Sequence, residues 1–176
     1  MEKGGRNEQV FYLLLGYWII RHLPLCYAQT GNMAVHGSWK LISIESVDAG
    51  GKVIGANEWM GKKPTGLLMY DATVGYMSIQ LIRDRRPAYT LSLEDRADAY
   101  KTYYAYFGNY EVKETEGKEG KEGAIVYHLQ GSLMPEEVGA EYWRMFKISG
   151  NRIMLIAQLS ASQSIRLTFE RVEKGK

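Results

Sequence analysis

HGSWKLISIE, residues 36–45, places a glycine, one spacer and a tryptophan at the head of an alternating apolar run. Alternation of period two is the mark of a strand with one face buried. Trp39 therefore either fills an ordinary core or closes one end of a container. The segments on either side of it narrow the choice.

Beyond residue 34 the period is mostly two. Strand-like runs occupy 38–47, 66–71, 75–83, 107–114, 124–131, 140–149, 152–159 and 165–172. Turn chemistry separates several of them: DATVG at 71–75, TEGKEGKEG at 115–123 and SGNR at 149–152. The charged, glycine-rich 115–123 stretch is best taken as a solvated loop. Eight antiparallel strands linked mostly as neighbours close into a barrel just wide enough for packed side chains or one small ligand. The expected fold class is all-β, an eight-stranded antiparallel barrel.

One segment breaks the pattern. TLSLEDRADAYKTYYAYF, residues 90–107, has Ser92 and Asp95 at capping-box spacing. Leu93, Ala97, Tyr100, Tyr104 and Phe107 recur at helical spacing, with Glu94, Asp95, Asp98 and Lys101 elsewhere. This predicts one inserted helix of about fifteen residues, set between the third and fourth strands. It would cover the barrel mouth or pack on the outer wall.

Composition narrows the function. With 22 basic and 20 acidic residues the chain carries a net charge of +2, so no strong field is aimed at nucleic acid or membrane. Thirteen tyrosines suit sheet faces and amphipathic cavities alike. One cysteine, Cys26, and three histidines leave too few ligands for a His/Cys metal site. No cofactor is implied.

The first thirty residues look like an address. Lys3 and Arg6 precede VFYLLLGYWII at 10–20, an apolar run suited to a signal-peptide core and short of the roughly 20 residues of a spanning helix. Cys26 and Ala28 stand at the small-residue positions of a cleavage site. Cutting is expected between Ala28 and Gln29, leaving residues 29–176 as an exported, periplasmic or extracellular domain without cysteine. An uncleaved membrane anchor is one alternative, since Arg21 and His22 interrupt the run; a lipoprotein at Cys26, suggested by LPLC at 23–26, is the other, although the bulky Leu25 stands where a small residue is expected.

Five segments together resemble the bacterial and fungal lipocalin-like domain family: GSWKLIS at 37–43, PTGLLMYDATVGYMSIQLIRDRRP at 64–87, YYAYFGNYEV at 103–112, HLQGSLMPEEVGAEYWRMF at 128–146 and RLTFERV at 166–172. The resemblance covers nearly all of 36–172. It implies a small β-barrel whose first-strand tryptophan, Trp39, packs near the closed end against a last-strand arginine. Arg171 fits that place better than Arg166. A guanidinium over an indole face contributes roughly 0.5–2 kcal/mol.

Period-two bookkeeping then proposes cavity residues. Tyr142, Arg144, Phe146 and Ile148 share one face of the sixth strand, and Trp143, Met145 and Lys147 share the other. The face with Arg144 is expected inside, because it ends in apolar Ile148. The pattern leaves two choices open: Ile125, Tyr127 and Leu129 against Val126, His128 and Gln130, and Met77, Ile79, Leu81 and Arg83 against Tyr76, Ser78, Gln80 and Ile82. An inward arginine needs a partner or a ligand oxygen. Arg144, with His128 and Tyr106 as neighbours, would anchor a carboxylate or carbonyl, unless Glu137 or Glu141 pairs with it at the rim. The candidate ligand set is Arg144, His128, Tyr106, Phe146, Tyr142, Gln80, Arg83 and Tyr104, with Trp39 and Arg171 as barrel-closing residues.

The leading expectation is an exported binding protein for a small, mostly apolar ligand with one polar end. Some lipocalin-like relatives resemble cyclases or isomerases. That alternative would cast Arg144 and Tyr106 as oxyanion donors and His128 as proton carrier. No self-sufficient catalytic motif supports it. A packed barrel serving as a protein-interaction module is the third reading.

Overall fold

The computed structural model describes residues 34–86, 88, 92–118 and 120–173. The expected export segment and its cleavage point lie outside these residues. Among the described residues nine antiparallel strands form one sheet: β1 Gly37–Asp48, β2 Val53–Ala56, β3 Thr65–Asp71, β4 Tyr76–Ile82, β5 Tyr103–Gly117, β6 Gly120–Ser132, β7 Glu141–Ser149, β8 Arg152–Gln158 and β9 Gln163–Arg171. Each strand from β3 to β9 pairs with the next, and β1 pairs with both β3 and β9, which closes an eight-stranded barrel. The short β2 folds back onto the end of β1. No run of alternating residues announces it.

The alternation seen in the sequence is the inside–outside alternation of the wall. Trp39 and Leu41 point inward. A register shift between Leu41 and Ser43 then hands the inner face to Ile44 and Val47, leaving Ile42 exposed. Met77, Ile79 and Leu81 of β4, Ile125, Tyr127 and Leu129 of β6, Ile153, Leu155 and Ala157 of β8, and Leu167 and Phe169 of β9 complete the buried core. A second shift falls at Phe107/Gly108, where a Cβ on Gly108 would lie 2.0 Å from the His128 carbonyl oxygen. Only glycine allows β5 and β6 to approach this closely.

Two expectations are corrected. The helix α1, Leu93–Lys101, has nine residues rather than about fifteen, and it buries none of them. Ser92 caps it by accepting the Asp95 N–H at 3.1 Å. Thr102 ends it, bonding the Asp98 carbonyl through both its backbone N–H and its hydroxyl. Tyr104 and Phe107, which fall on the helical stripe by spacing, belong to β5 instead. The run YYAYF is rich in strand-forming aromatics and alternates across the wall as well as it repeats along a helix. The 115–123 stretch is likewise not a loop throughout. Its charges pair across a long hairpin, with Lys121 Nζ 3.2 Å from Glu114 and in contact with Glu116, and β5 runs on to Gly117 while β6 begins at Gly120.

One end of the barrel is shut. Trp39 is fully buried, and its indole N–H donates to the Val35 carbonyl at 2.8 Å. The Arg171 guanidinium stacks 3.9 Å from the indole centre, and its two terminal nitrogens donate to the His36 and Ala34 carbonyls at 2.5 and 2.6 Å. Arg166, five residues before Arg171 and so on the opposite face, pairs with Glu45 at 2.9 Å. Trp39 and Arg171 face each other in register on β1 and β9.

Candidate functional site

The opposite end opens into a cavity of about 440 Å³, within the size range of small-molecule pockets. Its walls are largely aliphatic: Ile44, Ile79, Leu81, Leu155, Ala157, Ile165 and Leu167. Polar character comes chiefly from β5 and β7. Tyr104 and Tyr106 alternate inward from the start of β5, and Tyr142 and Arg144 from the start of β7.

Arg144 sits among aromatic rings. Its guanidinium carbon lies 4.9 Å from the Tyr142 centroid and 5.8 Å from that of Tyr127, distances at which a cation is attracted to a ring face. It donates to the Trp143 carbonyl at 2.9 Å, and the Tyr106 phenol stands near enough to interact with its charge. Among the described residues no carboxylate pairs with it. Glu141 pairs instead with His128, and Glu137 is engaged elsewhere. Burial works against the Arg144 charge; its pKa nonetheless lies above the usual arginine value, through the charge the neighbouring phenols carry once ionised at high pH, which leaves the burial cost in place near pH 7.

Glu137 is the carboxylate of the cavity wall. It follows Pro135 in a single 3₁₀ turn that hangs over the mouth. Its two oxygens accept from the Tyr104 hydroxyl at 2.7 and 2.9 Å, and one also accepts from Ser132 at 2.6 Å. Burial first, and then this carboxylate, push the Tyr104 phenol far above the ordinary range. Burial likewise raises Tyr106 and Tyr127. Tyr127 shares a short hydroxyl–hydroxyl bond with Tyr70. Each phenol is therefore a neutral hydroxyl near pH 7.

The structure brings Arg144, Tyr106, Tyr142 and Tyr104 together on the cavity wall. The other four ligand candidates lie elsewhere. His128 projects from the outer face of β6 between Glu111 and Glu141, at 3.4 and 3.2 Å. Tyr127 and Leu129 take the inner face, so His128 is separated from Arg144 by the wall and cannot serve as a proton carrier there. Gln80 is also outside, accepting the Tyr103 hydroxyl at 3.1 Å, because Ile79 and Leu81 fill the inner positions of β4. Arg83 is exposed just past β4, its backbone N–H bonded to the Thr102 carbonyl. Phe146 points inward and is buried in the core, without lining the cavity.

Residues that the sequence pattern passes over complete the mouth. Asn57, Trp59 and Met60 come from a tight turn in which the Asn57 side chain accepts the Met60 N–H and its carbonyl accepts the Gly61 N–H. Met60 is 1% exposed, and the Trp59 indole donates to the Lys101 carbonyl at the end of α1. Trp59 also meets Tyr104 edge-on at 5.7 Å. A tryptophan and a methionine side by side in a turn between Asn57 and Gly61 are a readable signal, because such residues seek burial. Met134, Gln158 and Leu159 are further lining residues from loops or strand ends. The helix stands beside the mouth, with Tyr100 donating to the Leu133 carbonyl, and contributes no lining side chain.

Among the described residues no cluster of His, Cys, Asp and Glu could hold a metal ion, and no helix is long and apolar enough to cross a membrane. The arrangement can hold an apolar body while offering positive charge and hydroxyl donors to one polar group.

No curated protein matches the chain. A solved structure of a redesigned beta barrel aligns with 80% of this chain and 93% of its own, at 10% identity and a TM-score of 0.35. The model of the lipocalin-like domain family matches residues 36–172. The closed eight-stranded barrel and this match over nearly the whole folded region lead to one conclusion: the chain belongs to the lipocalin-like domain family.

Proposed function

We propose that this protein binds a small, mostly apolar molecule with one polar end inside its barrel, and does so outside the cytoplasm. A lipocalin-like barrel suits small-ligand binding in general. The observation that carries the reading further is Arg144, a cationic side chain on the wall of an otherwise mostly aliphatic and aromatic cavity of about 440 Å³. Holding a charge there without a carboxylate partner costs stability, and function is the reason to retain it. Export rests on the apolar run at 10–20 with the small residues at 26 and 28.

The test is mass spectrometry of the purified protein under native and then denaturing conditions, together with uptake of a neutral solvatochromic dye. A defined extra mass released on denaturation, or saturable dye binding lost when Leu81 or Leu167 is replaced by tryptophan, is the expected result. A ligand-free mass with no dye uptake overturns the reading and shifts attention to the exposed Trp143 and Met145 on the outer wall as an interaction surface.

A further inference from the structure

The two charged groups that the described residues bring to the cavity wall are in opposite situations. Glu137 is satisfied by the protein itself, through Tyr104 and Ser132. Among the described residues Arg144 has only neutral neighbours: the one carbonyl it donates to, the Tyr106 phenol and two ring faces. A guanidinium carries more N–H donors than these acceptors use. Within the cavity the charges therefore do not cancel each other by direct pairing, and the positive one lies on the inner wall.

We propose that the ligand is an organic carboxylate, its oxygens on the Arg144 guanidinium and its apolar body against Ile79, Leu81, Leu155 and Leu167. This deepens the binding function above and rests on it. Arginine presents a planar fork that matches a carboxylate in geometry, and a charge-assisted bond is roughly twice as strong as a neutral one. Tyr106 adds to the site. Its hydroxyl stands with the guanidinium on the cavity wall, where its proton can be donated to the same anion. Burial keeps that phenol protonated, so it attracts the anion rather than repelling it. An amine of the same shape would meet Arg144 without compensation. A methyl ester would keep the apolar contacts and lose the charge-assisted bonds.

The experiment is displacement of Nile red from the full chain by a phenylalkanoic acid series, from phenylbutyric to phenyldecanoic, with each methyl ester and matching amine. The length series ensures that size alone does not decide the result. The best acid is expected to displace dye at least about tenfold more tightly than its ester, with the amine weakest. In Arg144→Gln the acid preference should shrink to about twofold or less, while dye and ester still bind and so report an intact barrel. If Arg144→Gln does not fold, two measurements decide: Arg144→Lys, expected to retain part of the preference, and wild type at falling pH, where protonating the acid should erase it. Dye and ester binding with no acid preference in wild type overturns this inference and leaves the binding function standing. A full preference in Arg144→Gln overturns the assignment to Arg144. Failure of the dye and every probe to bind removes the binding function itself.

Discussion

Replacing Arg171 with alanine should cost about 2–4 kcal/mol of stability. Arg171 lies in stacking contact with the fully buried Trp39, at 3.9 Å, and clamps the carbonyls of His36 and Ala34. The stacking is worth about 0.5–2 kcal/mol. Each hydrogen bond from a charged donor contributes roughly 1.5–3 kcal/mol when buried. Arg171 is only half-buried, and the released carbonyls recover part of that from water, so the contributions sum to less than their maxima. For a domain of this size the loss should lower Tm by roughly 4–16 °C. The assay is urea unfolding followed by circular dichroism, comparing midpoints at constant slope. Arg171→Lys should lose about half as much, because one ammonium keeps a charge on the indole but cannot reach both carbonyls in the same geometry. A double-mutant cycle with Trp39→Phe should give a coupling of about 0.5–2 kcal/mol. An alanine variant within about 0.5 kcal/mol of wild type, or a coupling of zero, would refute the idea that these two residues seal the barrel.

Other expectations concern the cavity and its titrating groups. Arg144→Met should raise the stability of the ligand-free protein by about 1 kcal/mol, since a buried charge without a carboxylate gives way to apolar packing; an equal loss in urea unfolding would contradict this. His128→Ala should change stability by less than about 1 kcal/mol and leave Nile red displacement unaltered, because its glutamate partners are on the outer wall. His36 has a lowered pKa, first from burial and then from the Arg171 charge. The unfolded chain therefore binds a proton in the window between that value and about 6.5, so stability should rise with pH across it. His36→Gln should flatten that acidic limb in melts at pH 5 and 7.5, and an unchanged slope would exclude His36 as its source. Burial raises the Tyr110 phenol to about 12 and pushes Tyr70, Tyr106 and Tyr127 up as well. The folded state holds these protons and the unfolded state releases them near pH 10, so stability should fall as pH rises above about 10. Absorbance at 295 nm should show these phenols ionising together with unfolding; titration of all of them near pH 10 in a native-like fold would contradict their burial.

Period two along the wall was enough to locate eight strands, because each residue's side of a half-buried strand is set by its neighbours in the chain. The same local logic put Arg144 on one face with Tyr142, Phe146 and Ile148, and the family resemblance placed the first-strand tryptophan near a last-strand arginine, which antiparallel closure permits. Local pattern stopped being decisive where both faces look alike. On β6, Ile125 and Val126 are equally apolar, and only the register against β5 and β7 puts Tyr127 inside and His128 outside. YYAYF satisfies a helical and a strand period at once, and pairing with β4 and β6 resolves it. The mouth is the least legible part. Trp59 and Met60, Glu137, and Gln158 with Leu159 come from segments far apart in the chain, and no periodicity links them. Sequence by itself determined the container, since barrel formation is written in short-range alternation and turn chemistry. Only the tertiary structure decided which polar groups share the cavity, because that depends on strand register and loop placement, which side chains from distant segments settle together.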